Sequence, residues 1–98
     1  MKVIFSPRAR EDLRGIQSYI ACDNVAAAAR VAGRIRSIID LLPYHPKIGE
    51  VYEDGPERRL VVPNYPYCVY YDLDEAAGQI NILTIQHTSR IPPRFPSV

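Results

Sequence analysis

Apolar residues recur at helical spacing from Ala9 to Leu42 and abandon that spacing after Pro43. Ala9, Leu13, Ile16 and Ile20 stand four, three and four positions apart. Val25, Ala28, Ala32, Ile35, Ile39 and Leu42 follow at three, four, three, four and three. Each set draws one apolar stripe along a helix. Ser6-Pro7 marks the first helix start, since serine caps well and proline suits the first helical position. Asp23-Asn24 offers a cap for the second helix, and Pro43 ends it. With residues 22–24 as the only break, the two helices are predicted to form an antiparallel hairpin.

The rest of the chain reads in strands. Residues 2–5 (KVIF) form a first short strand. Residues 59–62 (RLVV), 66–72 (PYCVYYD) and 79–86 (QINILTIQ) are rich in β-branched and aromatic side chains, and residues 74–78 (DEAAG) turn between the last two. Residues 47–53 offer a weaker strand before the Asp54-Gly55-Pro56 turn. Ile80, Ile82, Leu83 and Ile85 place apolar groups on both faces of the last strand, which predicts an interior position. The tail, residues 91–98, holds three prolines and continues neither sheet nor helix. It is a loose end or an extended docking segment. The expected class is α+β: an N-terminal strand, an antiparallel helical hairpin, then a small, mainly antiparallel sheet of three or four strands.

A chain of 98 residues fits a single domain spanning 1–98. Its 47% hydrophobic and 23% charged residues match a folded globule. No apolar run approaches the roughly 20 residues that cross a bilayer. The apolar patch near the N-terminus is too short for a signal sequence, so a cytoplasmic location without membrane contact is expected. Cys22 and Cys68 are then free thiols or core filler.

Several chemistries lack their residues. There is no glycine-rich phosphate loop, no His/Cys/Asp cluster at metal spacing and no nucleophile elbow, so neither metal nor cofactor is expected. The best polar set is Arg59, His87 and Arg90. If two neighbouring strands bring Arg59 and His87 together, the set suffices for metal-free RNA cleavage. His87 would act as base or acid, and the arginines would stabilise the phosphate. The plainer reading, favoured on spacing alone, has the arginines solvated or paired with Glu57 and Asp72 and His87 merely ending a strand. Tyr65, Tyr67, Tyr70 and Tyr71 are base-stacking candidates, but alternation sends at least two of them into the core. Arg30, Arg34 and Arg36 read as a solvated face, and His45 takes no role.

Charge is uneven. Residues 1–49 hold eight Lys/Arg against four Asp/Glu, a balance of +4; residues 50–98 hold four against seven, a balance of −3. The net +1 is weak for a protein that works on nucleic acid.

The run SPRAREDLRGIQSYIACDNVAAAARVAGRIRSIIDLL resembles the helical hairpin of the ParE/RelE toxin superfamily. The P-x-x-G pattern from Pro46 to Gly49, RRLVV, YPYCVYY and INILTIQHTSR with its trailing prolines follow in the superfamily's order. The resemblance covers Lys2 to about Phe95. It implies the toxin of a type II toxin–antitoxin pair, bound in a hetero-oligomer by a cognate antitoxin. That antitoxin would contact operator DNA and wrap the toxin with a segment that folds on binding. The resemblance also implies one of two activities. ParE-like members inhibit DNA gyrase; RelE-like members are ribosome-dependent mRNA endonucleases. In the second case Arg59, His87 and Arg90 occupy plausible catalytic positions. Against it, Thr88 stands where some cleaving relatives have tyrosine, no tyrosine follows Tyr71, and no lysine follows Lys47. The ParE-like branch is the favoured expectation, with gyrase as target.

Overall fold

In the computed structural model, which describes residues 1–96, Ser6 both ends a strand and starts a helix. The strand is β1 (Lys2–Phe5) and the helix α1 (Pro7–Ala21). The Ser6 side-chain oxygen accepts the Ala9 amide at 3.0 Å, and Pro7 occupies the first turn, as the sequence predicts. Asn24 caps α2 (Val25–Asp40), its side-chain oxygen accepting the Ala27 amide at 2.9 Å. The helix ends at Asp40, just short of Pro43, and turn residues fill the gap.

Both stripes face a common core. Ala9 and Leu13 from α1 join Ala28, Ala32, Ile35 and Ile39 from α2, with Leu42 just beyond; all are buried. Val25 departs from the stripe: it is 73% exposed, because nothing packs against the first position of α2. Val31 is buried in that helix instead.

The remaining elements are β2 (Glu50–Val51), β3 (Arg58–Val61), β4 (Tyr67–Asp74) and β5 (Gln79–His87). They join β1 in one sheet of order β1-β5-β4-β3-β2. Only the β1–β5 pair is parallel, because the hairpin carries the chain over between β1 and the rest. The weaker strand expected at residues 47–53 shrinks to two residues, paired with Arg59 and Arg58. β5 is interior, as its two-sided apolar pattern predicts. Val69 and Tyr71 from β4 and Ile80, Ile82 and Ile85 from β5 complete the core beneath the helices.

β5 is irregular at Leu83. Tyr70 pairs with Thr84 and Tyr71 with Ile82, so Leu83 is an extra residue, a β-bulge. Ile80 and Ile82 before it, and Ile85 after it, all belong to the helix-side core. A regular strand does not allow that odd step of three. Two side chains hold the irregularity. The Ser6 hydroxyl donates to the Leu83 carbonyl at 2.8 Å. Asp12 on α1 accepts from the Thr84 hydroxyl at 2.5 Å and the Ile85 amide at 3.0 Å. Backbone groups that the bulge takes out of the ladder thereby gain partners.

The outer face of the sheet is covered by the tail. Tyr52 donates its hydroxyl to the Pro93 carbonyl at 2.7 Å and meets Phe95 edge-on at 5.9 Å between ring centres. Tyr70 lies 5.0 Å from Tyr52 and 6.0 Å from Phe95. Of the two readings of the tail, the docked one holds through residues 93–95; residues 97 and 98 lie outside the described ones.

Tyr71 locks the loop before β2. Its buried hydroxyl donates to the Pro46 carbonyl at 2.8 Å and accepts the Gly49 amide at 2.9 Å. A Cβ on residue 49 would sit 2.8 Å from the Tyr71 ring and 3.0 Å from the Arg59 carbonyl, so only glycine fits. Among the described residues, no helix is long and apolar enough to cross a membrane, and no group of three or more His, Cys, Asp or Glu side chains is placed to hold a metal.

Two stability predictions follow from the tyrosines. Tyr71→Phe strands the Gly49 amide and the Pro46 carbonyl, and urea denaturation should show a loss of about 1–3 kcal/mol; Gly49→Ala should also destabilise the fold. Burial raises the hydroxyl pKa of Tyr52, Tyr67, Tyr70 and Tyr71. The unfolded chain therefore loses these protons first as the pH passes about 10, while the folded chain keeps them. Stability from this source should be complete at neutral pH and fall above about pH 10, a decline that Tyr70→Phe should reduce in paired melts.

Candidate functional site

The three residues singled out in the sequence fall in two places. Arg59 pairs with Tyr70 across β3 and β4, so it shares the outer face with Tyr70 and Cys68. It is half-buried, and its guanidinium pKa is raised, chiefly by the neighbouring Cys68 side chain. Its Nε is buried and has no hydrogen-bond partner among the described residues. Carboxylates rim the same face: Glu53, Glu57 and Asp72 line a cavity of about 850 Å³ with Tyr52, Leu83 and Phe95.

His87 lies on the other face. It pairs with Tyr67, a core residue beneath the helices, and the two rings meet edge-on with centres 5.3 Å apart. The His87 Nδ1 accepts the Ser89 amide at 3.0 Å, and the Ser89 hydroxyl lies 2.7 Å from the same nitrogen. An accepting Nδ1 puts the proton of the neutral ring on Nε2. Arg90 follows in the same turn, its amide donating to the His87 carbonyl at 3.0 Å. His87 and Arg90 share a groove of about 610 Å³ between α1 and the end of β5, with Glu11, Asp12, Ile16 and Tyr19 on the helix side.

Arg59 and His87 are therefore not brought together by neighbouring strands, the condition on which the RNA-cleaving reading of the sequence rested. β4 runs between β3 and β5, and the bulge at Leu83 turns His87 toward the helices. The plainer reading fits better: His87 ends β5 and Arg90 is solvated. Arg59 is half-buried on the face that carries Tyr70 and Cys68, and Arg90 is exposed in the turn after His87.

Sequence reasoning passed over Asp12, Tyr52 and Phe95. Asp12 lies beside the apolar stripe of α1, where a carboxylate reads as a solvated helix position; its partners are 72 and 73 residues away. Tyr52 meets the tail across 41 residues. The one local signal in reach was the slip of apolar positions in β5 from Ile80 and Ile82 to Ile85.

Known proteins match this arrangement along nearly all of the chain. The family model for the ParE toxin of the type II toxin–antitoxin system parDE matches residues 3–92. The putative toxin Y4kP of Sinorhizobium fredii is 31% identical over 93 residues, covering 95% of this chain and 94% of that protein. The toxin RelE2 of Caulobacter vibrioides is 32% identical over 90 residues, covering 92% and 98%. The chromosomal ParDE TA system of P. aeruginosa contains a chain that superposes with a TM-score of 0.79 at 20% identity, covering 91% of this chain and 97% of that one. A chain of the intact E. coli RelBE toxin–antitoxin complex superposes with a TM-score of 0.69 at 12% identity, covering 91% and 98%. The last two establish the fold; the family match and the two relatives establish descent. The chain belongs to the ParE toxin family, within the ParE/RelE superfamily of type II toxin–antitoxin systems.

Proposed function

We propose that this toxin arrests growth by binding DNA gyrase in the cytoplasm, without cutting RNA, and that a cognate antitoxin silences it. The observation that carries the reading is the separation of Arg59 from His87 on opposite faces of the sheet. Metal-free RNA cleavage needs a base, an acid and a phosphate-stabilising cation around one phosphate. The outer face offers Arg59, but that face also carries Tyr70 packed against Phe95 of the tail and a cavity rimmed by Glu53, Glu57 and Asp72, which repel a polyanion. The inner groove offers His87 and Arg90, but Ser89 occupies Nδ1, the nitrogen whose lone pair a base would use. The whole-chain charge of +1 supports the same reading. The antitoxin partner is supported by the family match and by the complexes in which its structural neighbours occur.

The alternative is a ribosome-dependent mRNA endonuclease, favoured by likeness to the toxin RelE2. It would have to work with His87 and Arg90 in one groove and without Arg59.

A supercoiling assay with purified toxin and gyrase tests the proposal. Loss of supercoiling is expected at stoichiometric toxin, with Arg59→Ala and His87→Ala inhibiting within about threefold of the parent chain, a difference under 1 kcal/mol. Gyrase left fully active at saturating toxin would overturn it.

A further inference from the structure

A second groove, on the α2 side of α1, is lined by Phe5, Arg10, Leu13, Arg14, Gln17 and Arg36. Its chemistry divides in two. The floor is apolar: Leu13 belongs to the buried core, and Phe5 is half-buried against it. The rim is cationic. Arg10 and Arg14 stand four positions apart on α1, and Arg36 comes from α2; all three are exposed. No carboxylate lines the groove. Glu11 and Asp12 line the groove on the other side of α1, where Asp12 is bound to β5. Like charges four apart on a helix repel, and an anion seated between them relieves that repulsion. A carboxylate presents two oxygens, whereas a terminal phosphoryl group presents three, and guanidinium forks match them with paired N–H donors. At about 290 Å³ the space is at the small end for a small-molecule site, which suits a ligand of one or two rings. Phe5 supplies an aromatic ring for such a body, and the Gln17 amide both donates and accepts hydrogen bonds.

We infer that this groove binds a free nucleoside monophosphate, with the phosphoryl group on Arg10, Arg14 and Arg36 and the base against Phe5 and Leu13. The site is independent of the gyrase reading and of any protein partner. Charge selects the phosphoryl end, and the apolar floor selects the ring. Duplex nucleic acid carries the same phosphoryl chemistry, but its bases are stacked inside the helix and do not reach the floor. The small volume favours one nucleotide over a strand.

The test titrates the full chain, isotope-labelled, with AMP, inorganic phosphate, adenosine, a short single-stranded RNA and a DNA duplex. AMP is expected to give saturable amide shifts at Phe5, Leu13 and Gln17, weakened by salt. Phosphate should move the same amides with about tenfold lower affinity, and adenosine should not saturate in that range. Arg10→Gln and Arg36→Gln should each weaken AMP about fivefold or more. These positions are exposed, so melting in the absence of ligand should not fall. Phe5→Leu should erase the advantage of AMP over phosphate while phosphate still binds, which reports that the fold persists. AMP that fails to saturate at these amides, or binds every arginine variant as it binds the parent chain, would overturn the inference. So would equal affinity for AMP and phosphate in the parent chain. RNA or duplex that binds the same amides about tenfold more tightly than AMP overturns the free nucleotide and assigns the groove to nucleic acid.

Discussion

The extra residue at Leu83 decides which side of the sheet each later side chain serves. Before it, even-numbered positions of β5 face the helices; after it, odd-numbered ones do. The irregularity survives because Ser6 and Asp12 hold its backbone. Ser6 is also the cap of α1, and Asp12 lies six residues further along that helix. The contacts that seat the helix on the sheet are thus the contacts that fix the bulge. Removing Asp12 would leave the Ile85 amide without its acceptor and loosen helix from sheet in one step.

The functional reading descends from that constraint. In a regular β5, His87 would turn to the outer face, the side that carries Arg59 and Tyr70. The bulge sends it under α1, against Tyr67. The outer face then holds one arginine, a ring of carboxylates and the aromatic seat of the tail. The inner grooves flank α1: one with His87 and Arg90, the other with Arg10, Arg14 and Arg36. A protein so arranged keeps Arg59 apart from His87 and Arg90.

Much of the fold was legible because it is encoded locally. Ser6 and Asn24 cap their helices through neighbours three residues on, and the helical stripes repeat within a turn. The interior place of β5 could be read from Ile80 to Ile85. The candidate site was less legible, since spacing along the chain does not reveal which strand lies between two others. Arg59 and His87 look like neighbours only until β4 is set between them. The apolar slip at Leu83 was visible as a strand buried on both faces. That it marks a change of side depends on Asp12, which no local pattern ties to it. The tail was undecided for a similar reason: its anchor, Tyr52, stands in a loop far from Pro93 and Phe95.

The central proposal is that this toxin arrests growth without cutting RNA, and mapping mRNA 5′ ends after induction of the toxin alone tests it most directly. The account predicts arrested growth with a 5′-end profile indistinguishable from that of uninduced cells. New cuts at codon-defined positions, present with the parent chain and lost in His87→Ala, would contradict it.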